Sequence, residues 1–277
     1  MVALGSLTRF LAGVLVCLAL PVAAEPPRRV VSMNLCTDQL AMMLAAPGQI
    51  ASVSWLAADP ASSAMADQAR RLPQNHGQAE EIFLMQPDLV LAGSWTAPAT
   101  VSLLRRIGLR VEVFDTETDL AGIRRNILRM GEVLDRNPEA AAMLADFDAD
   151  LARLTPPASS APRAAIYAVN GYTSGSGSLA GQIVALGGYR NIADELGLSA
   201  GGTLPLEMLL TSAPDLLILG RRYAGHARAQ DLLDHPALRA ALAKTPAVTM
   251  SDPDWVCGTP GILRAAESLR GAGGPGQ

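Results

Sequence analysis

Lysine is nearly missing from these 277 residues, with Lys244 the sole example. Histidine is confined to His76, His226 and His235, and aromatic residues make up only 4% of the chain. Each scarcity excludes a chemistry. No Gly-x-x-x-x-Gly-Lys phosphate loop can be written, and a net charge of −4 leaves no basic footprint for nucleic acid. The histidines have no metal-ligand spacing with a second His or Cys, so no metal site is expected. The Gly-x-Ser-x-Gly elbow of serine hydrolases is absent. In the run Gly175-Ser176-Gly177-Ser178-Leu179-Ala180-Gly181 the third glycine falls one residue late for a dinucleotide fingerprint. That run reads as a flexible turn at a helix start, whose free amides suit an anionic or carbonyl-rich ligand.

Long apolar runs are lacking too. The longest, 10–20, is shorter than the ~20 residues that a membrane span needs. With Arg9 before it, Pro21 ending it and Val22-Ala23-Ala24 behind, it reads as a signal peptide over 1–24 that leaves Glu25 as the new N-terminus. Cys17 follows Val16, where lipoprotein processing wants a small residue, so lipidation is discounted. Losing Arg9 moves the charge from −4 to −5. The periplasm is the expected compartment. Cys36 and Cys257 then remain, an even pair in surroundings that permit disulfides.

What is present is alternation. Apolar strands are predicted over 29–33, 50–55, 89–92 and 109–114, with helices over 39–45, 80–85 and 100–107 between them. Thr37 or Asp38 is the expected cap of the first helix. Leu120, Ile123, Ile127, Met130, Val133 and Leu134 then recur at helical spacing, and a second amphipathic stretch covers 139–154. Alternation resumes with strands over 164–169, 216–219 and 248–251 and helices over 179–186, 206–210, 238–243 and 262–269. The fold class is α/β, with parallel sheets covered on both faces.

The two halves echo each other. In each, a short helix with a first-turn carboxylate, Glu80 or Glu207, runs into Pro-Asp and an apolar strand. Two similar lobes would leave a crevice at the carboxyl ends of their strands. Trp55, Trp95, Tyr172 and Trp255 all fall where strands give way to loops, at the rim of that crevice. Flat faces with one polar edge suit a large macrocyclic or partly aromatic ligand.

These pieces, in order, resemble the iron-siderophore and vitamin B12 class of periplasmic solute-binding proteins. The resemblance runs over about 29–270 and rests on several short segments. They are Arg29-Val30-Val31-Ser32, Ala79-Glu80-Glu81-Ile82 leading to Pro87-Asp88-Leu89-Val90, Thr173-Ser174-Gly175, Gly187-Gly188-Tyr189-Arg190-Asn191-Ile192, and Leu206-Glu207 leading to Pro214-Asp215-Leu216. It implies two Rossmann-like lobes, 25–118 and 138–277, joined by a single long backbone helix within 119–137. It implies a monomer that captures its ligand without chemistry or cofactor, and an ABC permease dimer of the inner membrane as partner. Glu80 and Glu207 would dock that permease.

The ligand implied is a corrinoid or a ferric siderophore, with haem behind them. It would lie between Asn34, Cys36, Asp38, Trp55 and Trp95 of the first lobe and Tyr172, Ser174, Asp252, Trp255 and Cys257 of the second. Within the two-lobe arrangement the cysteines have three possible fates: a cross-cleft disulfide, two buried thiols, or thiols facing the ligand. The oxidising compartment favours the first. Asn75-His76-Gly77-Gln78 departs from the cleft aromatics of B12-binding relatives. The rival readings are a secreted hydrolase using Ser176 and a histidine, and a periplasmic sensor or accessory lobe.

Overall fold

The computed structural model describes residues 25–154, 158–222 and 228–272, with the backbone alone for Asp252. The expected signal segment and His226 lie outside the described residues. Among the described residues, no helix is long and apolar enough to cross a membrane.

Two separate parallel sheets form the molecule. The first contains β1 (Val30–Ser32), β2 (Ile50–Ser54), β3 (Gln74–Asn75), β4 (Leu89–Gly93) and β5 (Val111–Phe114), in the order β3-β2-β1-β4-β5. Val30, Leu89 and Leu91 point to one face, against Leu40, Ile123, Ile127 and Met130. Val31, Val90 and Ala92 point to the other, against Ile82, Val101 and Leu104. Strands buried on both faces read as unbroken apolar runs, which is why they were visible in the sequence.

The second sheet contains β6 (Arg163–Tyr167), β8 (Arg190–Asn191), β10 (Leu216–Leu219) and β11 (Ala247–Thr249), in the order β11-β10-β6-β8. A small antiparallel ribbon, β7 (Tyr172–Thr173) with β9 (Gly202–Thr203), lies beside it. The edge strands β3 and β8 and this ribbon were not anticipated. Two residues are too few to establish an alternation.

The connection begins at Asp119, whose carboxylate accepts the Gly122 N–H at 2.6 Å and caps the helix Leu120–Leu134. Asp135, in the left-handed region, ends that helix, and Asn137–Ala152 folds back along it. A Cβ on Gly131 would sit 2.3 Å from the Ala140 Cβ, so only glycine permits this crossing. Arg124 bonds Asp148 at 2.7 Å farther along the same seam. One apolar cluster passes from the first sheet through this hairpin into the second, by way of Phe147, Ile166 and Ile218.

The echo between the halves extends to the hydrogen bonds. Asp88 accepts the Arg28 and Arg29 amides at 2.7 and 3.0 Å, and Asp215 accepts the Arg163 amide at 2.7 Å. Arg29 donates to the Met85 carbonyl, and Arg163 donates to the Ser212 carbonyl. Gln86 and Ala213, the residues before the two Pro-Asp pairs, both have positive φ, 49° and 45°. Each lobe thus pins a short acidic helix to its central strand with the same corner.

Candidate functional site: the interlobe cleft

The first wall is built at the end of β1. Asn34 caps the helix Leu35–Leu44, its Oδ1 accepting the Cys36 N–H at 3.0 Å. The helix therefore begins four residues earlier than expected, and Thr37 and Asp38 lie inside it. A Cβ on Gly93 would come within 2.8 Å of the Asn34 side chain, so a bare backbone lets the β4 loop close on that cap.

The early start redirects Asp38. Expected to face the ligand, it is fully buried, and its Oδ2 accepts the Ser54 hydroxyl at 2.5 Å and the Ser54 amide at 3.2 Å. Burial raises its pKa to about 6, against the lowering effect of hydrogen bonds with Ser32 and Ser54. Asp38 fastens helix to strand.

The Cys36 and Cys257 sulfurs are bonded, with Cα atoms 5.1 Å apart. Beside them a cavity of about 360 Å³ opens between Asn34, Leu56, Trp95, Asp115, Glu117 and Val256. Other contacts close the lobes on each other. Gly258 packs so closely on Glu117 that a Cβ there would lie 2.4 Å from the Glu117 Cβ. The Leu120 amide donates to Gln182 Oε1 at 3.0 Å, and Arg221 donates to the Ala61 carbonyl. Burial pushes the Glu117 carboxyl up, opposed by hydrogen bonds from Asn126, its own backbone and Gly258.

The aromatic candidates separate. Trp95 is 85% exposed and lines the cavity, while Trp55, 49% exposed, lies at the end of β2 next to the lining residue Leu56. Tyr172 is half exposed in the ribbon, where a Cβ on Gly201 would lie 2.8 Å from its hydroxyl, and it is outside the lining. Trp255 is a correction: it is buried in the core, because Asp252–Trp255 packs on the helix Ile262–Ala272. Val256, its 53%-exposed neighbour, takes the cavity position instead. Ser174 is also buried, its carbonyl accepting from Asn191 at 2.8 Å. The Asp252 side chain lies outside the described residues.

Sequence reasoning missed Asp115, Glu117 and Gly258. An acidic loop at the carboxyl end of β5 was the available signal. Ser176, the hydrolase candidate, is tied to Asp194 at 2.8 Å. Glu80 and Glu207 are both exposed, each second in its short helix. Phe83 and Leu84 are exposed beside the first and Met208 beside the second. No group of metal-ligating side chains occurs among the described residues.

A family model described as periplasmic binding protein matches residues 30–250. A cobalamin-binding protein of Halobacterium salinarum is 26% identical over 199 residues, covering 70% of this chain and 54% of that protein. The chain thus spans about half the length of the curated relatives it matches. A possible iron-binding periplasmic solute-binding protein of Staphylococcus epidermidis superposes with a TM-score of 0.72 at 17% identity, over 90% of this chain and 99% of that one. A periplasmic haem-binding protein of Vibrio cholerae gives 0.71 at 19% identity, over 88% and 97%. These two likenesses establish the two-lobed α/β fold.

Proposed function

The chain belongs to the periplasmic binding protein family, and from that premise we propose that it is the capture component of an ABC importer. The family is one of solute-binding proteins and not of enzymes, which removes the hydrolase alternative. In this reading an N-terminal signal exports the chain, and a corrinoid or ferric siderophore enters the interlobe cleft. Glu80 and Glu207 then engage cationic side chains on the two halves of a permease dimer.

The observation that carries this reading is the cleft itself, a cavity at the carboxyl ends of β1, β4 and β5, beneath Trp95 and walled by Val256 of the second lobe. Ligands of α/β sheets settle at such strand ends. The cobalamin-binding relative favours a corrinoid among the large ligands considered. Docking is supported by two exposed glutamates on equivalent helices, each flanked by exposed apolar side chains. Exposed ion pairs of this kind contribute little affinity, so their role is steering and register.

The test is titration of the purified protein with cobinamide, a ferric hydroxamate and haem, followed by Trp fluorescence and native mass spectrometry. A stoichiometric complex with a corrinoid or ferric chelate is expected. Binding of none of them, or of haem alone, refutes the ligand assignment.

A further inference from the structure

Among the described residues, the charged side chains that line the cavity are of one sign. Asp115 and Glu117 are both in its lining, and among the described residues no Lys, Arg or His is. Behind the wall, Arg129 stacks 4.8 Å over the Phe114 ring and is paired with Glu112 at 3.4 Å, while Arg105, in the neighbouring pocket, donates to the Val111 carbonyl. The remaining wall is apolar or neutral, with Leu56, Phe114, Val256 and the Trp95 ring around the Cys36–Cys257 bond.

Glu117 is suited to accept more hydrogen bonds. A carboxylate offers about four lone-pair sites. Asn126 donates to one oxygen at 2.6 Å. Lone pairs remain for further donors. Asp115 is exposed and belongs to the same lining. An arm bearing N–H groups would find acceptors at both positions. A carboxylate or catecholate arm would bring a third negative charge beside a partly desolvated one, with no cation in the described lining to offset it, and like charges so placed discriminate strongly against a ligand.

We infer that this pocket is a subsite for an amide- or ammonium-bearing arm of the ligand, accepted by Asp115 and Glu117, and that the cleft rejects ligands whose arms are anionic. The inference rests on the capture reading above and narrows its ligand by charge. Propionate-bearing and polycatecholate ligands are disfavoured, and amide-decorated macrocycles are preferred.

Two probes with one ring isolate the effect: cobinamide, whose arms end in primary amides, and cobyrinic acid, in which carboxylates replace them. Each is titrated into the full chain at pH 7.5 and followed by Trp fluorescence. Cobinamide should bind at least tenfold more tightly, and the ratio should shrink to within threefold in an Asp115→Asn/Glu117→Gln double variant. Because Glu117 also holds Gly258, the single Asp115→Asn variant serves as a control that leaves that contact intact. It should lower the ratio at least twofold with an unchanged melting temperature. Equal affinities in the parent, or a ratio that neither variant alters, overturns the charge-selection inference alone. Failure of both probes to bind refutes the corrinoid reading and the inference with it.

Discussion

Cys36 and Cys257 stand 221 positions apart in the chain and 5.1 Å apart at their Cα atoms, bonded across the cleft. Cys36 belongs to the first turn of the helix behind β1, and Cys257 to the loop that follows the last strand. The bond holds the two lobes together where the ligand is proposed to enter.

Removing the bond should cost stability without abolishing the fold, since each lobe keeps its own buried sheet. A Cys36→Ser/Cys257→Ser variant is expected to lose about 2–4 kcal/mol, the usual worth of a native disulfide. Urea denaturation read by circular dichroism measures it. An unchanged midpoint contradicts the tethering role.

Asp38 should make stability depend on pH in an unusual direction for a carboxyl. Its folded pKa, about 6, lies above the 3.8 usual for an aspartate. The folded state therefore holds the proton more tightly, and this contribution is full below pH 4 and lost as pH rises through 6. An Asp38→Asn variant keeps an acceptor for Ser54 but cannot ionise. Relative to the parent it should gain about 2–3 kcal/mol between pH 4 and pH 7.5. Parallel stability profiles for the two proteins would refute this.

Gly131 lies where the two connecting helices cross. Alanine there would press its Cβ to within 2.3 Å of Ala140, so the helices must part. Overpacking of this kind costs about 1–3 kcal/mol. Thermal melts of Gly131→Ala against Gly122→Ala, which meets nothing nearer than 3.3 Å, separate crowding from helix propensity.

Trp95, 85% exposed, supports little of the fold. Its replacement by alanine should leave the melting temperature within a degree or two while weakening ligand binding about tenfold, near 1.4 kcal/mol. A variant that binds like the parent removes Trp95 from the site.

The docking assignment separates uptake from binding. Charge reversal in Glu80→Arg/Glu207→Arg should leave the affinity of the purified protein unchanged and abolish transport in cells. Undiminished uptake would refute the assignment.

The central strands were readable because strands buried on both faces need apolar residues at every position, and Val30-Val31, Leu89-Val90-Leu91 and Leu216-Leu217-Ile218 display this directly. The acidic helices were readable from their repeated Pro-Asp endings. Asp38 and Trp255 were misread because a side chain's direction depends on where its helix starts. Asn34 sets that start for Asp38, and packing on the terminal helix sets it for Trp255.

By itself the sequence determined the α/β class, the doubled pattern and the sites of the short acidic helices, since each follows from local periodicity and turn chemistry. Tertiary structure alone decided that Cys36 meets Cys257, that Glu117 packs on Gly258 and that Val256, not Trp255, walls the pocket. Those outcomes depend on how two separately wound sheets are set against each other through the Leu120–Leu134 and Asn137–Ala152 hairpin, and contacts between residues so far apart leave no periodic trace in the chain.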